Sequence, residues 1–270
     1  MPEKDISSTK EGHGEWVLIS EWFRPKDDVR WGELQRALAD NLEKEGIRQV
    51  VLFIETEEGL PLDHSKLKVV RPSARPTYRD LFQWANANCT DCKVVLANND
   101  ISFAPCQWPE ISTGEFLVGS RHEWVEGEDV WFDDSDYHFG HEYSADAWFF
   151  KTPVHIQGAR FRMGQMGCDN RIAWLAHCSG NVVRNIGLEA PIRHYHASQV
   201  RPTNTRARVT SPYLAVAADG RMWSELKVGR RELVRSALVD WACFRFTLSY
   251  IFGGRAKVCQ LAPATFRARC

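Results

Sequence analysis

No stretch of this 270-residue chain approaches the roughly 18 consecutive apolar residues that a membrane-crossing helix needs, so a protein anchored by such helices is excluded. Charge of one sign is also missing: 34 Lys+Arg against 35 Asp+Glu leave a net −1, and no global basic field makes nucleic acid the expected partner. Cysteine is too sparse for a disulfide framework, and the eight scattered residues suit reduced thiols. The opening MPEKDISSTKEGHGE is polar and lacks the apolar core of a signal peptide, so a cytoplasmic protein is expected. No repeat, low-complexity segment or Pro/Gly/Ser-rich linker interrupts the chain, which favours one elaborated domain. G-x-x-x-x-G-K-[ST], G-x-S-x-G and H-E-x-x-H are absent, and with them the signatures of P-loop NTPases, α/β-hydrolases and zincins.

What is present is ordinary globular material, 44% hydrophobic and 26% charged, with charge unevenly placed. Between Glu110 and Phe150 stand eleven acidic residues and one basic residue, Arg121. From Arg221 to the end there are ten Lys+Arg against three Asp+Glu. The acidic belt reads as a metal or polar-ligand neighbourhood or as a solvated face. The basic tail reads as a solvated surface or a contact for phosphates, anionic lipid or an acidic partner.

Short apolar runs alternate with helical patterns. Trp16–Ser20, Gln49–Ile54, Leu67–Val70 and Lys93–Ala97 read as buried strands, while Trp31–Glu45 and Pro76–Asn88 read as helices. Strands apolar throughout, alternating with helices, predict an α/β, mainly parallel sheet covered on both faces. Ligands of such sheets gather at the strand carboxyl ends, which directs attention to Glu21, Glu55, Arg71–Arg75 and Asn98–Asp100. Further on, Glu115–Ser120 and Asp146–Phe150 read as strands, and Cys168–Cys178 as a helix opening at Asp169 or Asn170. Glu232–Phe252 reads as a longer helix. The expected organisation is a lead-in over 1–14, a domain over 15–220 split near residue 100, and a basic helical extension over 221–270.

The strand Val94–Ala97 delivers Asn98-Asn99-Asp100 to a loop. A carboxylate there can hold Mg²⁺ or Mn²⁺, and the plain alternative is a turn, which these residue types favour. His194-Tyr195-His196 places two imidazoles where they can bind a divalent metal or donate to a diphosphate, or simply pack. The order of elements, ending in an Asp-containing turn near residue 100, resembles the nucleotide-sugar-binding half of GT-A-type glycosyltransferases. Downstream, the blocks His141–Phe150, Met163–Asn170 and His194–His196 resemble, in the same order, an uncharacterised bacterial group of glycosyltransferase-like proteins.

This resemblance covers about residues 16–200. It implies a nucleotide-diphosphate sugar donor, a glycan or other hydroxyl acceptor, and Mn²⁺ or Mg²⁺ at Asp100 with His196 or His194. Asp169, or Asp146, would be the general base. One departure is plain: Asn98 stands where the family's DxD motif has its first acid, which puts metal dependence in question.

Around this frame, Arg75 can fork to phosphate oxygens, Tyr78 can stack on a base, and Glu55 stands where ribose hydroxyls are bound. Each also has a bland reading, as a solvated or packed side chain. Cys89-Thr90-Asp91-Cys92 lacks the second pair that a structural zinc needs and lies on the wrong side of its helix for a redox motif, so it reads as two loop thiols. Trp124, Trp131, Trp148 and Trp174 suit sugar faces or the core. Ala237–Phe252 is apolar enough to pack on the domain or make peripheral contact with a membrane. The competing function is a non-catalytic nucleotide-sugar or glycan-binding protein. A nucleotidyltransferase ranks last, because Ser20–Pro25 holds no Gly-rich phosphate loop.

Overall fold

The computed structural model describes residues 14–132, 140–196 and 208–225. The lead-in up to residue 13, the Glu232–Phe252 helix and the apolar Ala237–Phe252 stretch lie outside the described residues. Along the chain run β1 (Gly14–Trp22), α1 (Asp28–Glu43), β2 (Gly46–Ile54), β3 (Leu67–Val70), α2 (Tyr78–Asn88), β4 (Lys93–Ala97) and β5 (Ile101–Ser102). Then come β6 (Glu115–Val125), β7 (Glu128–Trp131), β8 (Ala145–Lys151), α3 (Cys168–Cys178), β9 (Val182–Asn185), β10 (Ile192–His194), β11 (Tyr213–Val216) and β12 (Met222–Glu225).

The sheet follows the order β3-β2-β1-β4-β8-β6-β10-β5. Its first four strands are parallel, and β8 enters antiparallel between β4 and β6. Successive residues of β1 serve opposite faces. Val17 and Ile19 pack with Leu81 and Phe82 of α2 and Ile172 and Leu175 of α3, while Trp16 and Leu18 pack with Leu34, Leu38 and Leu42 of α1. Burial on both faces is why these strands read as continuous apolar runs, and why the expected doubly covered α/β sheet is what forms.

Local chemistry sets the helix starts. Asp27 caps α1, its carboxylate accepting from the Arg30 amide at 2.7 Å. Thr77 and Asp80 cap α2 reciprocally. The helix α3 opens at Cys168 rather than at Asp169 or Asn170, behind Gly167 in the left-handed region at φ 81°. A Cβ at Gly167 would lie 3.0 Å from the Tyr213 hydroxyl, so glycine is required there for space as well as conformation. Two boundaries also move. β6 runs five residues past the expected Ser120, and the stretch after 220 begins as β12, hairpinned onto β11 rather than helical. Trp148 and Trp174 are core residues, whereas Trp124 and Trp131 are half-buried.

Candidate functional site

The antiparallel insertion of β8 does the first piece of assembly. Ala97, the last residue of β4, sits opposite Ala147, so the loop after β4 meets the start of β8. Asn98 there donates its amide N–H to the Asp146 carbonyl at 3.0 Å and its Nδ2 to Asp146 Oδ1 at 2.6 Å. On the far side of β8, β6 shifts register between Gly119 and Ser120, an irregularity that re-aims the following side chains. Arg121 then donates to Asp146 Oδ2 at 2.6 Å and to Glu123 at 2.7 Å. Next along, β10 pairs parallel with β6 and sets His194 opposite Glu123, their Nδ1 and Oε2 being 2.7 Å apart. The short β5 pairs with β10, and the Tyr195 amide bonds the Asp100 carbonyl at 3.0 Å. His194 Nε2 thereby lies 3.1 Å from Asp100 Oδ2, with His196 Nδ1 3.9 Å from the same oxygen. Arg30 of α1 closes the chain, donating Nη2 to Asp100 Oδ2 and Nη1 to the Tyr195 carbonyl at 2.8 Å and to Glu33 at 2.9 Å.

This polar row is largely buried, and its charges hold one another. Burial alone would raise the Asp100 carboxyl, but His194, His196 and Arg30 hold it well below the usual carboxylate range. Glu123, also pushed up by burial, comes down to about 2 through His194 and Arg121. Burial and the Arg121 charge oppose a proton on His194, yet Asp100 and Glu123 prevail and raise it. Asp146 has both carboxylate oxygens engaged, by Asn98 and Arg121. Asp146, the second-choice base, thus orients Asn98 and Arg121 in this structure.

Asp169 behaves differently. It lies in the first turn of α3, where the helix dipole favours an anion, but it makes no capping bond, and Cys168 Sγ is 3.0 Å from its Oδ1. Burial first, and then the Asp146 charge, push its carboxyl up to about 7.

A cavity of about 300 Å³ opens beyond the carboxyl ends of β1 and β2, where Glu21, Phe23, Glu55 and Arg75 line it. Arg75 forks onto buried Glu21 at 2.7 Å and 3.2 Å and reaches the Met163 carbonyl at 3.1 Å. Burial raises the Glu21 carboxyl against the opposing pull of Arg75. Exposed Glu55 lines the same cavity. The expectation for Tyr78 is corrected: its ring is fully buried, edge-on to Trp148 at 5.3 Å and packed on Phe161, so it has no open face for a base.

The metal expectation meets a mixed environment. Asp100, His194 and His196 offer ligand atoms all within 4.8 Å of one another. Asp100 Oδ1 is buried and accepts no hydrogen bond among the described residues. Glu123 on Nδ1 turns the His194 Nε2 inward, as carboxylates do behind metal-binding imidazoles. Two imidazoles and one carboxylate suit Mn²⁺ better than Mg²⁺, which favours an oxygen shell. The donor set thus admits a divalent cation, while Arg30 already supplies Asp100 with a positive charge.

Sequence reasoning missed Arg30, Arg121 and Glu123. Arg121 had a visible signal as the single basic residue in the acidic belt. Arg30 had none, because its partners at the cluster, Asp100 and Tyr195, lie 70 and 165 residues away.

No protein-family model and no curated protein matches the chain. Among solved structures it is similar to the inositol-1-phosphate CTP transferase from T. maritima, with 11% identity and a TM-score of 0.41, over 73% of this chain and 96% of that one. A likeness this distant leaves the chemistry to be argued from the side chains.

Proposed function

We propose that the protein is a GT-A-like glycosyltransferase that moves a sugar from a nucleotide-diphosphate donor to a hydroxyl acceptor. The observation that carries this is a set of three groups: a cavity bearing Glu55 and Arg75 beyond the ends of β1 and β2, the Asp169 carboxyl raised to about 7 by burial and the Asp146 charge, and the Asp100–His194–His196 cluster. In this reading the cavity takes the nucleoside, with Glu55 toward ribose hydroxyls and Arg75 toward phosphate. The diphosphate extends toward Asn98 and Asp100.

Asp169, ionised, takes the proton of the acceptor hydroxyl as the acceptor oxygen bonds to the anomeric carbon. The bond from that carbon to the diphosphate oxygen breaks, and the diphosphate leaves with the electron pair. Asp146 and Arg121 keep Asn98 and Glu123 in place, and Glu123 fixes the orientation of His194. Arg30, held beside Asp100, supplies positive charge toward the leaving group, and a divalent ion at Asp100, His194 and His196 would add charge neutralisation when bound. A pKa near 7 suits a base working near neutral pH, whereas an ordinary aspartate would be a weak one.

The rival reading, a nucleotide-sugar or glycan binder without turnover, is favoured by Asn98 in the first DxD position. A nucleotidyl-transfer reading gains nothing from the β1–α1 loop. That loop, Phe23–Asp27, has no glycine. Calorimetry with UDP-, GDP- and TDP-sugars, with and without Mn²⁺, followed by a donor-hydrolysis assay, tests the proposal. Binding with turnover that Asp169→Asn abolishes supports it. Binding without turnover supports the rival, and absence of all nucleotide binding refutes the transferase and the nucleotide-sugar form of the rival.

A further inference from the structure

We infer that Arg30 is a built-in counter-cation of Asp100 that suppresses divalent-metal binding at the Asp100–His194–His196 cluster. This deepens the proposed site but does not depend on which group is transferred, since it concerns metal affinity alone.

The geometry is specific. Asp100 Oδ2 receives Arg30 Nη2, while its Oδ1 is left without a hydrogen bond among the described residues. Arg30 cannot easily swing away, because Nη1 is pinned by the Tyr195 carbonyl at 2.8 Å and Glu33 at 2.9 Å. Tyr195 is itself flanked by the two histidines in sequence, so the cation and the imidazoles are anchored to one short segment. A metal ion reaching Oδ1 would therefore share a mostly buried carboxylate with a fixed guanidinium.

Two opposite effects compete. Arg30 orients the carboxylate, which favours binding, and repels a divalent ion, which opposes it. Unit charges about 4 Å apart in a partly buried setting interact strongly, and the repulsion doubles for a divalent ion. Orientation by one hydrogen bond is the smaller effect. Charge therefore decides, and removing Arg30 should tighten metal binding rather than loosen it.

The test is Mn²⁺ titration of the full chain, followed by electron paramagnetic resonance of the free ion, with circular dichroism as a control for folding. Wild type should bind Mn²⁺ weakly, with Kd in the millimolar range. Arg30→Gln and the apolar Arg30→Met should each bind at least about tenfold more tightly, and Arg30→Lys should stay near wild type. Adding His194→Ala to Arg30→Gln should remove the gain, which places it at this cluster. Micromolar binding by wild type overturns the inference even if no variant folds. So does equal or weaker binding by folded Arg30→Gln. Absence of sugar transfer by the wild type, with the Mn²⁺ results as expected, would count against the functional reading only.

Discussion

Asn98 occupies the position where an acid would be expected, and its contacts say what that acid would cost. Asn98→Asp replaces an amide donor, 2.6 Å from Asp146 Oδ1, with a second carboxylate. Two unit charges about 4 Å apart repel by about 4 kcal/mol at an effective dielectric of about 20, and the lost hydrogen bond to a charged acceptor adds about 1.5–3 kcal/mol. Arg121 offers little relief, because Asp146 and Glu123 already engage it.

The variant has one escape, which is to take a proton and donate it to Asp146. Protonating a group of ordinary pKa about 3.9 costs about 1.4 kcal/mol per pH unit above that value, or about 4 kcal/mol at pH 7 and about 1.5 at pH 5. The escape is cheaper than the roughly 6 kcal/mol of summed repulsion and lost bonding, so the folded state binds the proton. Because the folded pKa is then raised, the penalty is absent near pH 4 and grows as pH rises. Urea unfolding of wild type and variant at pH 5 and pH 7 should give a loss larger by about 2–3 kcal/mol at the higher pH. A loss equal at both pH values, or below about 1 kcal/mol at pH 7, would refute this account of the Asn98–Asp146 pair.

Three further expectations come from the same geometry. The Asp169 carboxyl, raised to about 7, binds a proton in the folded state that the unfolded chain has released. Stability should therefore fall as pH rises from about 4 to 7, Asp169→Asn should flatten that slope in denaturation series, and wild-type transfer should rise through pH 7. Arg121→Met leaves buried Asp146 without its cationic partner and Glu123 with His194 alone, and should cost about 3–5 kcal/mol in urea unfolding, so a loss below about 1 kcal/mol would show that the row does not depend on it. Tyr78→Leu, in protein that circular dichroism shows to be folded, should leave nucleotide affinity unchanged in calorimetry, since the ring lies in the core, and a tenfold weakening would restore the base-stacking role.

Much of the frame was written locally. The four apolar runs from Trp16 to Ala97 and the helical spacing of Leu34, Leu38 and Leu42 depend on neighbours within a few residues, and each formed where that periodicity placed it, although α2 begins at Tyr78 behind a Thr77–Asp80 cap rather than at Pro76. The residue types at the strand ends were legible for the same reason, since hydrophobic strands must hand polar residues to loops. What those residues do to one another was not legible. Asp146 reaches Asn98 only because β8 runs antiparallel beside β4, and Glu123 reaches His194 only because β10 lies parallel to β6 across 71 residues. Tyr78 looked available to a ligand until the chain folded Trp148 and Phe161 around it. Side-chain identity sets which charges exist, whereas strand order sets their distances and their shelter from water. Coulomb energy depends on both, so the near-neutral pKa of Asp169 and the occupied state of Asp100 belong to the tertiary structure alone.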